Sequence, residues 1–510
     1  MVNKVYSNRI SEYAHENGGR VLLLFLLFMI ALYQLATTGL PFFSIICLIP
    51  IIVIFIHFTF KWRMFVFWIL IIVNYFLQMK DIPLPVPMSL PNELLQILLL
   101  IIAIIDTRQS PNFERSLNIM LLGILSWCTY CTIEILNNTC GLGLNIKAWY
   151  TGARMMAFQM LYIFFVFTIY ISSPERLLKY LKLWGLLALF SAFWTWKQQN
   201  MGLTVSEHSF MYGRGLSTHV LQGGTLLRYF STFSDAANYG CNAAATAIAF
   251  IVIGITTTIK KDKLFFVIIS VLVIWQMFAS GTRSATFCLI AGFMVFLVLS
   301  RSIRIIIPSA IIGGILLFIL IFTNIGNGNQ QIRRMRSGFN KDDASSNVRD
   351  INQATMKKYI KDAPWGIGIG MGMDNVPANN KYRLLATIPP DSEYVNIWLR
   401  TGPIGITIFI ITMLMMLGGA CWIVLFKLKN KSLIGIGAGL CSAFVAIQLG
   451  GYANQVLMQF PNGLIFYGGL SIVYILPYLE PEWIEYENKR LTIQEEKKRV
   501  KLEEKLAKRV

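Results

Sequence analysis

Six residues of this chain combine types and positions that could do chemistry. Arg283 sits in S-G-T-R-S-A-T from Ser280, a turn of a few residues between two long apolar runs. Arg228 stands in R-Y-F-S-T-F-S-D-A-A-N, ahead of Asp235, and Arg349 falls in the first turn of an expected helix capped by Ser345 or Ser346. Asp391 and Glu393 lie in P-P-D-S-E-Y, just before another apolar run. Arginine stays charged at any biological pH and offers an oxyanion, phosphate above all, a planar fork of donors. A carboxylate beside such cations can take a proton from a nucleophile; it can equally cap a helix or hydrogen-bond a loop. The plainer role open to each arginine is to reach for a membrane interface or pair with a loop carboxylate. Lys197, Arg154 and Arg400 are read that way, as interfacial anchors.

The elements that must position these residues are membrane helices. The 510 residues are 55% hydrophobic and only 14% charged, with mean hydropathy +0.58, where soluble domains carry about 25% charged residues. A span needs roughly 20 apolar residues. Between 21 and 479 the sequence offers about fourteen such runs (twelve to fourteen), among them 40–60 and a short one at 93–105. The fold class expected is therefore all-α and polytopic, with residues 1–20 as a cytoplasmic N-terminus, 21–479 as the transmembrane domain and 480–510 as a charged cytoplasmic tail. No cleavage site follows the first run, which is read as a retained span.

Charge gives the sidedness. Cations cluster at Lys61 and Arg63, at Arg176, Lys179 and Lys182, at Lys260, Lys261 and Lys263, at Arg301 and Arg304, and at Lys427, Lys429 and Lys431. Alternate loops, the long ones at 198–235 and 324–400 included, are expected on the other face, where Lys and Arg are normally scarce. Arg283 is then a cation on the wrong side of the membrane, held there by a short turn, which points to a bound anion. The net charge of +19 lies between spans rather than on one face, so membrane lipid and not nucleic acid is its partner.

Other chemistries find little support. The eight cysteines form no framework, and Cys128 and Cys131 in W-C-T-Y-C read as small buried hydrophobes. No His, Asp or Glu cluster has metal-ligand spacing, so neither metal nor cofactor is expected. A coupled carrier usually places ionisable groups at mid-membrane; here Asp106 and Glu134 lie near span ends. In the 324–400 loop a helix is expected with Val348, Ile351, Thr355 and Tyr359 on one face, stopped by Pro364 and Gly366. The W-G-I-G-I-G-M-G-M-D-N that follows fits no phosphate-binding spacing and reads as a flexible strand or turn on the membrane surface.

Taken in order, R-Y-F-S-T-F-S-D-A-A-N, S-G-T-R-S, an arginine-bearing helix before P-W-G-I-G-I-G, and D-S-E-Y-V-N-I-W-L-R-T-G-P-I-G resemble the bacterial O-antigen polymerase and O-antigen ligase superfamily. The likeness covers roughly 228–410. It implies a C-type membrane glycosyltransferase fold in the bacterial inner (cytoplasmic) membrane, with its site on the extracytoplasmic face and a polyprenyl-pyrophosphate-linked oligosaccharide as donor. On this resemblance Arg228, Arg283 and Arg349 bind pyrophosphate, Asp391, Glu393 and Asp235 are candidates for the acceptor's base, and a chain-length regulator and a flippase are working partners. Ligases of the superfamily carry a histidine in the large loop. This chain has none between 324 and 400, its outside histidines being His208 and His219, so a polymerase of repeat units is expected. The alternatives are a ligase and a flippase of lipid-linked oligosaccharide.

Overall fold

The structure is a computed structural model that describes residues 17–38, 53–54, 57–58, 60–81, 89–105, 113–221, 224–339 and 344–507. The chain divides into two compact units, Met1–Val66 and Phe67–Val510. In the first, helix α1 runs Gly18–Thr38. The expected run at 40–60 falls largely outside the described residues.

From the unit boundary onward the regular structure of the described residues is helical apart from one antiparallel pair of two-residue strands, Val220–Leu221 with Leu226–Leu227. Besides short helices at Val205–Tyr212, Leu216–His219 and Arg383–Thr387, the helices are α2 (Arg63–Phe76), α3 (Ser89–Ile105), α4 (Ile119–Ile133), α5 (Ile146–Tyr170, with a π turn at Arg154–Phe158), α6 (Pro174–Asn200), α7 (Ala236–Thr256) and α8 (Lys260–Ala279). Then come α9 (Arg283–Leu299), α10 (Ile303–Phe322), α11 (Gln330–Ser337), α12 (Ala344–Ile360), α13 (Glu393–Lys427), α14 (Lys431–Ala453) and α15 (Gly468–Ala507). Among the described residues nine helices are long and apolar enough to cross a membrane, and four shorter apolar ones accompany them. The chain is an all-α integral membrane protein.

Helix α7 is the centre: 89% of its apolar window is buried, and α8, α9 and α14 pack around it. Its sequence A-A-N-Y-G-C-N-A-A-A-T-A explains this, because small side chains let neighbouring backbones approach closely where apolar burial against lipid gives no advantage. At the opposite extreme α10 buries no residue at all. One end of the bundle is tied by charge. Asp262 receives Lys182 at 2.8 Å and Arg490 at 2.7 Å, Glu487 accepts from Asn430 at 2.9 Å, and Arg301 donates to the Leu428 carbonyl at 2.9 Å. These are the basic loops, and they hold the first turns of the charged tail.

The other end is built from loops that satisfy backbone groups. Within α13, Gly402 has φ 67° and ψ −173°, and Pro403 follows. Proline has no N–H, so the carbonyls of the preceding turn lose their helical donors. Each finds a substitute: Leu399 O accepts from Ile367 N at 2.9 Å, Arg400 O from Gly368 N at 3.0 Å, and Thr401 O from the Tyr130 hydroxyl at 2.7 Å. The alternating glycines are thus neither a strand nor loose. Gly366, Gly368 and Gly370 all have positive φ, and a Cβ on Gly366 would strike the Arg400 backbone. Ile367 and Met371 between them enter a small core with Met356, Ile360, Ala363, Val376, Tyr382, Leu385 and Leu399.

That core corrects the expected face of α12. Met356 and Ile360 are buried, with Tyr359 packed beside them, whereas Ile351 is 66% exposed. The residues expected as interfacial anchors are instead paired: Lys197 with Glu207 at 3.2 Å, Arg154 with Glu93 at 3.1 Å, and Arg400 with Asn396 at 3.1 Å.

The density of Lys and Arg makes the cytoplasm the expected side of the basic end. In a cysteine-free background, a thiol at exposed Asn379 (Asn379→Cys) is expected to react with an impermeant maleimide in intact cells whose outer membrane, if any, has been opened. One at exposed Lys429 (Lys429→Cys) is expected to stay unlabelled until the cells are lysed. The reverse pattern would invert the topology.

Candidate functional site

At the loop-built end residues from 217–221, 228–237, 282–287, 334–338, 389–391 and 449–459, with Arg349, surround a cavity of about 1000 Å³. Its lining includes four arginines (Arg228, Arg283, Arg334 and Arg349) against two aspartates, Asp235 and Asp391. All three arginines singled out from the sequence meet here. Arg334 joins them.

The turn between α8 and α9 organises the cations. Gly281, at φ 58°, lets the chain reverse; a Cβ there would stand 3.3 Å from Arg228 Cγ and 3.4 Å from Arg334 Cδ. The reversal leaves two carbonyls without helical donors, and each takes an arginine Nε: Arg228 to Ser280 O at 3.2 Å, and Arg334 to Gly281 O at 2.7 Å. Arg228 also donates to Thr218 O at 2.8 Å and Thr282 Oγ1 at 2.9 Å. Thr282 in turn donates to the Ala236 carbonyl at 2.6 Å, which locks the turn onto α7. Arg283 then begins α9 at the cavity wall.

Arg228 is therefore a frame as well as a charge, since its Nε and both Nη atoms are used by protein. Burial, the neighbouring Arg334 and, more weakly, Arg283 push its pKa down to about 10, against the pull of Asp235. It remains a cation at neutral pH. Mutual repulsion among guanidiniums in a half-buried site is the electrostatic signature of a site prepared for an anion.

Arg334 was missed by the sequence reading. It rides on α11, which Asn329 caps through Gln331 N at 2.8 Å and whose buried Met335 meets Thr286 Oγ1 at 3.4 Å. The available signal was I-R-R-M-R-S, three arginines in an expected outside loop, the same anomaly that marks Arg283.

The three carboxylates separate by environment. Asp235 lines the cavity, but its Oδ1 caps α7 through Ala237 N and Asn238 N, both at 2.8 Å, and its Oδ2 accepts from Ser234 at 2.7 Å. Glu393 is buried at the start of α13, bonded to the Asn396 side chain and the Leu457 N–H, and is not part of the lining. Asp391 lines the cavity in a left-handed conformation, φ 52°, uncommon for a residue with a Cβ and often a mark of function. Among the described residues its carboxylate has no hydrogen-bond or ion-pair partner. Of the three it is the carboxylate suited to receive a proton.

His219, the one histidine in the lining, is fully engaged. The Ala236 N–H donates to its Nε2 at 3.1 Å, so Nδ1 carries the proton and faces the Gly215 carbonyl at 3.0 Å. Burial, with Arg228 and Lys80 nearby, outweighs the Gly215 carbonyl and Asp235 and lowers its pKa to about 4. Lys80 braces the same corner, donating to Ser234 O at 2.9 Å above the Phe210 ring at 3.9 Å. Burial pushes its pKa down to about 8, against Asp235 and with Arg214.

A folded-state pKa near 4 against the ordinary 6.5 means that neutral His219 contributes stability that is complete above about pH 6.5 and is lost as the pH falls towards 4. The thermal midpoint of the purified protein is expected to drop across that window. His219→Gln keeps an acceptor for Ala236 without titrating and should flatten this drop. An unchanged slope would assign the loss to other groups.

Comparison with known proteins matches residues 268–410 to the family described as O-antigen ligase. No curated protein matches the chain. The matched segment runs from within α8, through the arginine turn, α11 and α12, to the Gly402–Pro403 break. The part of the chain that holds Arg283, Arg334, Arg349 and Asp391 is thus similar to the O-antigen ligases.

Proposed function

We propose that this protein is a C-type membrane glycosyltransferase that polymerises polyprenyl-pyrophosphate-linked oligosaccharide repeats into a surface polysaccharide, on the extracytoplasmic face of the bacterial inner membrane. The observation that carries the proposal is the convergence of four arginines and one unpartnered aspartate on a single cavity at the end away from the basic loops. The reaction needs little else. The acceptor hydroxyl attacks the anomeric carbon of the donor glycan, the new C–O bond forms, and the bond to the pyrophosphate oxygen breaks with its electron pair. Asp391 takes the hydroxyl proton. Arg283, Arg334 and Arg349 bind the charge that grows on the leaving pyrophosphate, and Arg228 holds the turn that aims them. The positive charge comes from guanidiniums, so the reading is metal-independent. A flippase to supply the repeats and a regulator of chain length are the partners such a reaction calls for.

A ligase is the second reading, favoured by the family description itself. Against it, the 324–400 segment has no histidine, and His219 in the cavity has both ring nitrogens bonded within the protein.

Arg283→Lys keeps the charge and loses the fork. It is expected to lower the polymerisation rate ~100- to 1,000-fold, the scale of losing one oxyanion donor, while protein abundance stays normal. A normally abundant variant that polymerises at the wild-type rate would reduce Arg283 to an interfacial anchor.

Polymerase and ligase differ in acceptor. Protein reconstituted with lipid-linked repeats alone is expected to give a ladder of longer lipid-linked chains, and deletion strains should stall at single repeats. Long lipid-linked polymer accumulating untransferred in the deletion strain would establish the ligase instead. A complete ladder with repeats trapped on the cytoplasmic leaflet would point to a flippase.

A further inference from the structure

We infer that a groove at the basic end of the helices binds the headgroup of an anionic phospholipid. The groove is about 510 Å³ and lies between the start of α4, the last turns of α13 and the stretch of α15 around Pro477. It shares no lining residue with the arginine cavity at the other end.

Its chemistry is one-sided. Arg115 and Lys427 line it, and no aspartate or glutamate does. Among the described residues neither cation has a carboxylate partner; the Arg115 guanidinium lies 5.7 Å over the Tyr478 ring instead. The nearby acid Glu480 is occupied, accepting from Lys429 N at 2.7 Å and from Asn430 N, and Glu114 lies outside the lining. The other polar side chains of the wall are already engaged within the protein. Asn118 Oδ1 caps α4 through Met120 N at 3.0 Å, and the Tyr474 hydroxyl donates to Met416 O at 2.6 Å. What remains for a ligand is two cations and the Tyr478 hydroxyl, a donor set that suits a phosphate.

The surroundings select a lipid-borne phosphate over a free one. A Cβ at Gly418 would meet nothing within 4 Å, so the α13 side of the groove stands open. Trp422 is 58% exposed and Tyr478 52%, at the ends of apolar helices where aromatic rings sit at headgroup level. Exposed Leu117, Ile119 and Leu122 continue along α4 as a track for acyl chains. Basic pockets between spans on the cytoplasmic side are known to suit acidic headgroups.

Trp422 is the reporter for the test. The full-length protein is placed in phosphatidylcholine nanodiscs containing brominated phosphatidylglycerol or, at the same mole fraction, brominated phosphatidylcholine. Quenching due to Trp422 is the difference between each protein and its Trp422→Phe counterpart. Phosphatidylglycerol is expected to be enriched at Trp422 roughly fivefold per cation. Arg115→Gln/Lys427→Gln should abolish the preference, and the charge-preserving Arg115→Lys/Lys427→Arg should retain it. Lys260→Gln/Lys261→Gln removes the same charge from the same end outside the groove and should also retain it. Equal quenching by the two lipids overturns the proposal, as does equal loss of preference in the Lys260/Lys261 variant. Loss of the preference on adding inorganic phosphate would overturn the lipid in favour of the free ion.

Discussion

Much of this structure follows from one constraint: a carbonyl that loses its helical donor inside an apolar bundle must find another. Two breaks matter. At the turn between α8 and α9 the replacement donors for Ser280 O and Gly281 O are arginine Nε groups, so satisfying the backbone simultaneously fixes two cations beside Arg283. At Gly402 and Pro403 the replacements come from Ile367 N, Gly368 N and Tyr130, which fastens the segment following α12 to α13. The first break makes the charged wall of the cavity. The second fixes the start of α13, where Asp391 and Glu393 lie.

This constraint also explains how much of the molecule could be read from the sequence. Helices declare themselves by apolar runs, and Arg283 by standing in a short turn on the face where cations are scarce. Asp235 could be seen either as base or as cap, and its bonds to Ala237 N and Asn238 N make it a cap. Glu393 and Asp391 are two residues apart and look alike in sequence. Their difference is the turn of the backbone at Asp391, which exposes one to the cavity and leaves the other buried at the head of α13.

What the sequence concealed was long-range. Arg334 acquires its position by docking α11 on a turn some fifty residues earlier, and no local pattern encodes that approach. The face of α12 was misread for the same reason. Its partner is a core supplied by Ile367, Met371 and Leu399, and the glycines that let that core close looked like a flexible strand or turn. They are the opposite, left-handed residues, Gly366 pressed against the α13 backbone at Arg400 and Gly370 against the α5 backbone at Ala148.

Helix α10 buries no residue fully, yet it is not idle. Arg336 on α11 donates through Nε to the Leu320 carbonyl near its end at 2.6 Å, two residues along from the arginine that enters the cavity. With no buried residue of its own, α10 is held by the Phe293 ring of α9 lying against Gly313 and by this bond from Arg336. One short helix thus carries both the arginine that enters the cavity and the arginine that ties down α10, so the cavity wall and this peripheral helix share a support.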